Sequence, residues 1–133
     1  MGYVVPGVVG QNPSHAVTFL DNHDTSRDDR FGTTDQIIMG YAYILTHPGT
    51  PCVFYTDWNI ASVQSAVTKL IAARRSQGIT STSTVYIEKY TSGVYAAYIN
   101  SNLAVKLGSG SWSPSDTSYT LLTSGNNYAV WTK

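Results

Sequence analysis

The chain has 133 residues and a formal net charge of zero, and only 12% of its residues are charged, about half the average proportion. It has no basic stripe to hold phosphates and no apolar run of about 20 residues to span a bilayer, so we expect neither a nucleic-acid partner nor a membrane span. Its polarity comes from Ser, Thr, Asn and ten Tyr, which suits sugars but also suits ordinary edge strands. The one cysteine, Cys52, excludes an internal disulfide and is interpreted as a buried small hydrophobe.

An apolar segment at 16–20 is predicted to be a short buried strand, because Val17 and Phe19 are strand formers. It runs directly into the polar segment Asp-Asn-His-Asp-Thr at 21–25. In barrels of alternating strands and helices, the active site lies at the carboxyl ends of the strands, so this segment is a candidate site. Two other interpretations stay open. An ordinary polar turn would use the same Asx residues, and His with Asp could form part of a metal site.

A helix is predicted after the charged segment 26–32, which we interpret as a solvated loop. Thr33 and Gln36 have the spacing of a capping box. Apolar residues then recur at helical spacing until His47, where the following Pro48 predicts the end of the helix. We interpret His47 as a cap that compensates the helix dipole.

A second strand is predicted at 52–55, and its unbroken apolar character is typical of a parallel strand buried on both faces. Asp57 and Trp58 follow that strand. If the two strands are neighbours, these side chains lie on the same rim as Asp24 and contact substrate, although packing within the loop explains them equally well.

A second helix is predicted over 62–77, with Gly78 just beyond its end. Arg74 falls in its last turn, where the helix dipole favours a cation. The order of strand, helix, strand and helix indicates a parallel α/β arrangement.

The pattern changes at about 78–83, where we place a domain boundary. Short strand-like segments joined by Gly-, Ser- and Asn-containing turns then predict an antiparallel meander. The predicted strands lie at 84–90, 94–99, 103–107, 118–123 and 127–132.

Three segments resemble a known family: AVTFLDNHDT at 16–25, GYAYILTHPGTPCVFY at 40–55 and GNNYAVWTK at 125–133. They are similar to the C-terminal third of an α-amylase of glycoside hydrolase family 13, closest to the plant type. The resemblance covers essentially the whole chain. It implies a fold that is α/β followed by all-β. Residues 1–79 would form the seventh and eighth units of a (β/α)8 TIM barrel, and 80–133 a five-stranded antiparallel C-terminal sheet domain.

The resemblance also implies roles for the polar segment. Asp24 matches the catalytic carboxylate that stays ionised and stabilises the transition state, and His23 matches a hydrogen-bond donor to the same sugar ring. Asn22 is a further substrate-side candidate, although Asn22 and Asp21 look like supports of the turn. The activity implied is endo-hydrolysis of α-1,4-glucosidic bonds in starch- or glycogen-type polysaccharides with retention of configuration.

The family's nucleophilic Asp and acidic Glu, which lie on the fourth and fifth barrel strands, have no counterpart in this chain. We therefore expect the chain by itself to be inactive. The resemblance implies calcium in the complete enzyme, with no metal ligand in this chain, and an α-glucan as the partner of a monomer. It favours a secreted or extracellular location over a cytoplasmic one.

Two non-catalytic interpretations stay open. In the first, the chain is a glucan-binding module, and Trp112 stacks on a sugar ring; packing of Trp112 within its own domain is the alternative. In the second, the chain is a non-catalytic family member that serves transport or regulation. The presence of both Asp24 and His23 favours the enzyme.

Overall fold

The architecture is a helical layer packed against a five-stranded sheet. It comes from a computed structural model that describes residues 7–25 and 31–133. Most of the predicted charged loop at 26–32 lies outside the described residues. The elements are α1 (Val8–Gln11), a 3-10 turn (Pro13–His15), β1 (Val17–Thr18), α2 (Thr34–Thr46), β2 (Thr50–Pro51), α3 (Tyr55–Trp58), α4 (Ala61–Ser76), β3 (Val85–Thr91), β4 (Val94–Ile99), β5 (Leu103–Leu107), β6 (Thr120–Gly125) and β7 (Tyr128–Thr132).

Helix α2 begins with the predicted capping box. The Thr33 amide donates to Gln36 Oε1 at 2.8 Å, and the Gln36 amide donates to Thr33 Oγ1 at 3.4 Å. These two bonds satisfy amides that the first helical turn leaves without partners. The helix ends at Thr46, and His47 follows in extended geometry.

His47 is the C-cap of α2, as interpreted, but it does not compensate the helix dipole with a charge. Its side chain is buried, with 1% of the residue exposed, and burial lowers its pKa to about 4. The imidazole is therefore neutral near pH 7 and places no charge at the end of α2.

Strands β1 and β2 form a short parallel pair with Val17 opposite Thr50. The Thr50 amide donates to the Ala16 carbonyl at 2.8 Å, and the Cys52 amide donates to the Thr18 carbonyl at 2.7 Å. The pairing thus begins earlier than the predicted strand at 52–55, whose last residue already belongs to α3.

The predicted burial of these strands is also wrong. Val17 is 64% exposed and Phe19 51% exposed, and Cys52 is exposed instead of a buried small hydrophobe. Within the described residues each strand has one neighbouring strand. A parallel strand becomes buried only when further strands and helices cover it.

Helix α4 buries one apolar side, formed by Val63, Ala66, Val67, Leu70 and Ala73. Arg74 instead reaches back to the end of α2. Its guanidinium donates to the carbonyls of Leu45 at 3.0 Å, His47 at 2.7 Å and Gly49 at 2.9 Å. Arg74 thus lies in the last turn of α4, as predicted, and its guanidinium also satisfies carbonyl groups at the C-terminus of α2.

The last five strands form one antiparallel sheet, as predicted, but their order β3-β4-β5-β7-β6 is not that of the predicted meander. β5 pairs with β7, because the long segment 108–119 carries the chain past that position and places β6 at the outer edge. Asn100, Ser101 and Asn127 have positive φ at the hairpin turns, which Asn tolerates better than most residues. One face of the sheet packs on α2 and α4. The shared core includes Ile37, Tyr41, Val67, Leu70, Ile99, Leu103, Val105 and Val130.

Candidate active-site turn and sugar-facing surface

The segment 21–25 folds into a turn held by the side chain of Asn22. The Asn22 amide oxygen accepts hydrogen bonds from the backbone amides of Asp24 at 2.9 Å and Thr25 at 3.1 Å. The Asn22 backbone amide donates to Thr25 Oγ1 at 3.0 Å. Because Asn22 Oδ1 already accepts two hydrogen bonds from the turn backbone, the Asn22 side chain supports the neighbouring residues in this geometry.

The turn brings His23 and Asp24 together at the surface. His23 Nε2 lies 3.3 Å from Asp24 Oδ1, and the two side chains are 85% and 80% exposed. In this arrangement both side chains can approach the same bound molecule. An exposed pair of this kind contributes little to folding, so its geometry leaves both groups available for a ligand.

Asp21 anchors the turn from below. It is 3% exposed, and its Oδ1 accepts from the Phe31 amide at 3.0 Å and from the Thr25 hydroxyl at 3.4 Å. Its Oδ2 is buried and has no hydrogen-bond partner among the described residues. A buried carboxylate bonded to local backbone fixes the position of the residues that follow it.

The contact between α2 and the strand end depends on a glycine. A Cβ added at Gly40 would lie 2.8 Å from both methyl groups of Leu20, closer than real Cβ atoms come. Glycine at this position lets α2 approach the residue immediately before the polar turn.

Asp57 is not on an accessible rim, in contrast to the alternative in which it contacts substrate. It is 1% exposed, and its Oδ2 accepts from the Tyr41 hydroxyl at 2.7 Å. The Tyr41 oxygen in turn accepts from the Phe54 amide at 3.1 Å. Burial raises the pKa of Tyr41, and the bond to Asp57 raises it further. Asp57 therefore belongs to the packing of α2 against the segment after β2, and Trp58 packs partly buried against the same core.

Trp112 lies half-buried on the sheet face that points away from the helices. The centroid of its ring lies 5.7 Å from that of Tyr98 and 5.6 Å from that of Trp131, and both contacts are edge to face. Its Nε1 donates to Glu88 Oε2 at 2.8 Å. Trp112 is thus packed within its own domain and is also part of an aromatic surface.

Sequence reasoning singled out Trp112 alone, whereas the sheet register assembles the rest of this surface. Tyr86 lies opposite Tyr98, Tyr98 opposite Ala104, and Ala104 opposite Trp131, so these side chains form one row across four strands. The available signal was an aromatic residue on the outward side of three predicted strands, namely Tyr86 at 84–90, Tyr98 at 94–99 and Trp131 at 127–132. We call Tyr86, Tyr98, Trp112, Tyr119 and Trp131 the aromatic face.

No helix in 7–25 and 31–133 is both long and apolar enough to cross a membrane. The same residues contain no group of three or more His, Cys, Asp or Glu side chains placed to hold a metal ion.

Comparison with known proteins gives the same family along the whole chain. Residues 76–132 match the family model of the alpha-amylase C-terminal beta-sheet domain. The chain is 51% identical to probable alpha-amylase 2 of Arabidopsis thaliana, with 96% of this chain and 32% of that protein aligned. It is 42% identical to the chloroplastic alpha-amylase 3 of Arabidopsis thaliana, with 95% of this chain and 14% of that protein aligned.

A third relative is matched over most of its own length. The alpha-amylase type B isozyme of Hordeum vulgare is 37% identical, with 96% of this chain and 86% of that sequence aligned. The chain spans about a third of the first relative and about a seventh of the second. These matches and the five-stranded sheet show that the chain belongs to the α-amylase family and includes that family's C-terminal β-sheet domain.

Proposed function

We propose that this chain is the C-terminal part of an α-amylase whose complete form cleaves internal α-1,4-glucosidic bonds of starch- or glycogen-type polysaccharides with retention of configuration. The observation that carries the proposal is the turn at 21–25. It follows a parallel strand, is held by Asn22 and Asp21, and presents His23 and Asp24 together at the surface. The two Arabidopsis thaliana relatives align over 95% or more of the same chain.

The fold proposed for residues 1–79 is the seventh and eighth units of a (β/α)8 barrel. The parallel pairing of β1 with β2 through helix α2 is a β-α-β unit, which supports this proposal. The exposed apolar side chains of Val17 and Phe19 would be covered by the neighbouring units. Calcium in the complete enzyme is part of the same proposal, with its ligands on residues outside this chain.

The roles proposed for Asp24 and His23 follow from the positive charge that develops on the sugar ring during the reaction. Retaining hydrolysis uses a nucleophile and an acid about 5–5.5 Å apart and passes through an oxocarbenium-like transition state. Asp24 would be a third carboxylate whose negative charge stabilises the positive charge that develops on the sugar. His23 would hydrogen-bond the same ring. The chain by itself would be inactive, because the nucleophile and the acid belong to the rest of the barrel.

The test joins this chain to the N-terminal barrel region of probable alpha-amylase 2. We expect the joined protein to hydrolyse soluble starch and the Asp24→Asn variant to lose about 100-fold or more in turnover, since even a neutral donor at such a site is worth about that much. His23→Ala should lose less, because it removes a hydrogen bond and leaves the charge. Release of reducing ends measures both effects.

Asp116→Asn is the matched control, because it neutralises an exposed carboxylate on the sheet, where Asp116 pairs with Lys133 at 2.8 Å. It should keep full turnover. Starch hydrolysis by the 133-residue chain alone, or an Asp24→Asn protein as active as its parent, would contradict the proposal.

The aromatic face supports a second candidate function, binding of α-glucan without cleavage. Aromatic rings that remain partly exposed offer stacking surfaces to sugar rings, and Tyr86 is 65% exposed. We expect weak retention of the chain on insoluble starch and at least a threefold loss in Trp112→Ala, since Trp112 contacts both Tyr98 and Trp131. Equal retention by the two proteins would assign Trp112 to packing alone.

The remaining parts of the proposal concern partner and location. The partner proposed is an α-glucan, and the complete form is proposed to be a monomer. A secreted or extracellular location stays a prediction, and one relative is named as chloroplastic.

A further inference from the structure

A cleft of about 290 Å³ lies where α2, α4 and the β6–β7 hairpin meet. Its lining includes no residue of the turn at 21–25 or of the aromatic face. The hairpin is tied to the first turn of α2 by a hydrogen bond of 2.8 Å from Asn126 Nδ2 to Asp35 Oδ2. Polar groups on the cleft wall are those of Asp35, Ser62, Ser65, Lys69, Ser124 and Asn126.

The polar groups that α4 contributes are exposed to solvent, so a ligand would replace water at them. Within the described part of the chain, the side chains of Ser62, Ser65 and Lys69 form no hydrogen bond or ion pair. Thr68, on the adjacent face of the same helix, instead donates to the Gln64 carbonyl at 2.7 Å. Ser62, Ser65 and Lys69 recur at helical spacing and therefore point to the same side.

The chemistry of the cleft selects a neutral polyhydroxy ligand. Asp35 and Lys69 carry opposite formal charges, so the cleft lining has no net charge to attract an ion of either sign. Hydroxyl and amide groups both donate and accept hydrogen bonds, which matches a ligand that does the same. The side chains of Ile38, Ala66 and Tyr128 supply an apolar wall, and pockets that combine such a wall with a few polar groups are typical of small-molecule sites.

We propose that this cleft binds a glucosyl unit of an α-glucan, with hydroxyl groups held by Ser62, Ser65, Lys69 and Asp35 and a sugar face on the apolar wall. The choice of α-glucan among sugars rests on the proposed function. The site would hold polysaccharide at the junction of the helices and the sheet, independently of catalysis.

The test is an NMR titration of the 133-residue chain with maltose. We expect concentration-dependent shifts of the amides of Ser62, Lys69 and Asn126. Ser65→Leu, which fills the cleft from an exposed helix position, should weaken binding at least tenfold. Thr68→Leu makes the same kind of change one position before Lys69, outside the cleft lining, and should leave binding unchanged. Circular dichroism checks that both variants keep the helix content of the parent.

Three outcomes would overturn the proposal. The first is equal maltose binding by Ser65→Leu and by the parent. The second is loss of the maltose-induced shifts in Trp112→Ala, which would place the sugar on the aromatic face. The third is that inorganic phosphate shifts the same amides as much as maltose does, which would indicate an anion site. The titration uses no catalytic step. A joined protein that fails to hydrolyse starch would therefore contradict the proposed function and leave the maltose result standing.

Discussion

At the scale of single residues, His47 shows how a polar side chain is accommodated in the core. Its Nδ1 lies 2.8 Å from the Tyr43 carbonyl, which can only accept, so Nδ1 carries the proton. Its Nε2 lies 2.7 Å from the Tyr95 hydroxyl and accepts from it. The neutral imidazole thus makes a hydrogen bond at each nitrogen and links α2 to β4.

The same contacts make His47 sensitive to acid. Burial lowers its pKa from 6.5 to about 4, the bond to the Tyr43 carbonyl partly opposes this shift, and the Arg74 guanidinium adds to it. Burial raises the pKa of Tyr95 and that of Tyr43, so neither neighbour supplies a negative charge near neutral pH.

We therefore predict a loss of stability on acidification. Between pH 6.5 and about 4 the unfolded chain binds a proton at His47 that the folded chain does not, so the free energy of unfolding falls as the pH drops through this window. The loss is about 3 kcal/mol in total, and His47 contributes no slope above it. Urea unfolding at a series of pH values measures this slope.

The comparison that isolates His47 uses two substitutions. His47→Gln removes the titrating group and should flatten the slope between pH 4 and 6.5, whatever its effect on absolute stability. His15→Gln makes the same substitution at an exposed histidine and is the matched control. An unchanged slope in His47→Gln would assign the acid sensitivity to other groups.

At the scale of elements, the strand pair and the helices differ in how well they are covered. α2 and α4 bury their apolar stripes against each other and against the sheet, and Arg74 joins the end of α2 to α4 through three carbonyls. β1 and β2 pair with each other, but Val17 and Phe19 remain exposed. An uncovered strand is held by few contacts and opens readily.

We predict that amide hydrogen exchange of the 133-residue chain follows this division. Amides of α2, α4 and β4 should be protected at least 100-fold more than those of β1 and β2, because local opening exposes the strand pair without disturbing the core. Exchange monitored by mass spectrometry on peptides measures the contrast.

A dye that fluoresces on apolar surfaces should bind the chain alone and bind less after it is joined to the N-terminal barrel region, which would cover Val17 and Phe19.

In the hydrogen-exchange experiment, β7 serves as an internal control for a well-protected strand, since both its edges are paired with neighbouring strands. Uniform protection from β1 through β7 would contradict the prediction.

At the scale of the whole molecule, the helices and the sheet share one core. Side chains from α2 and α4 meet those of β4, β5 and β7 in a single cluster. The hydrogen bonds between His47 and Tyr95 and between Asn126 and Asp35 connect the helical layer to the sheet at two separated points. We infer that the sheet supports the helices that position the turn at 21–25.

The sequence alone determined the elements that depend on local chemistry. The capping box at Thr33 and Gln36, the extent of α4 and the five strands with their turns were predicted close to their observed positions, because caps, periodicity and turn residues act within a few positions. The motif around Asp24 likewise indicated the family.

The tertiary structure decided what depends on distant neighbours. Whether Val17, Cys52, His47 and Asp57 are exposed or buried could not be read from local pattern, because burial is set by elements far away in the chain. The carbonyl partners of Arg74 were unpredictable for the same reason. The aromatic face and the cleft beside Asn126 exist only because strand register and helix packing bring residues from separate segments of the chain into contact.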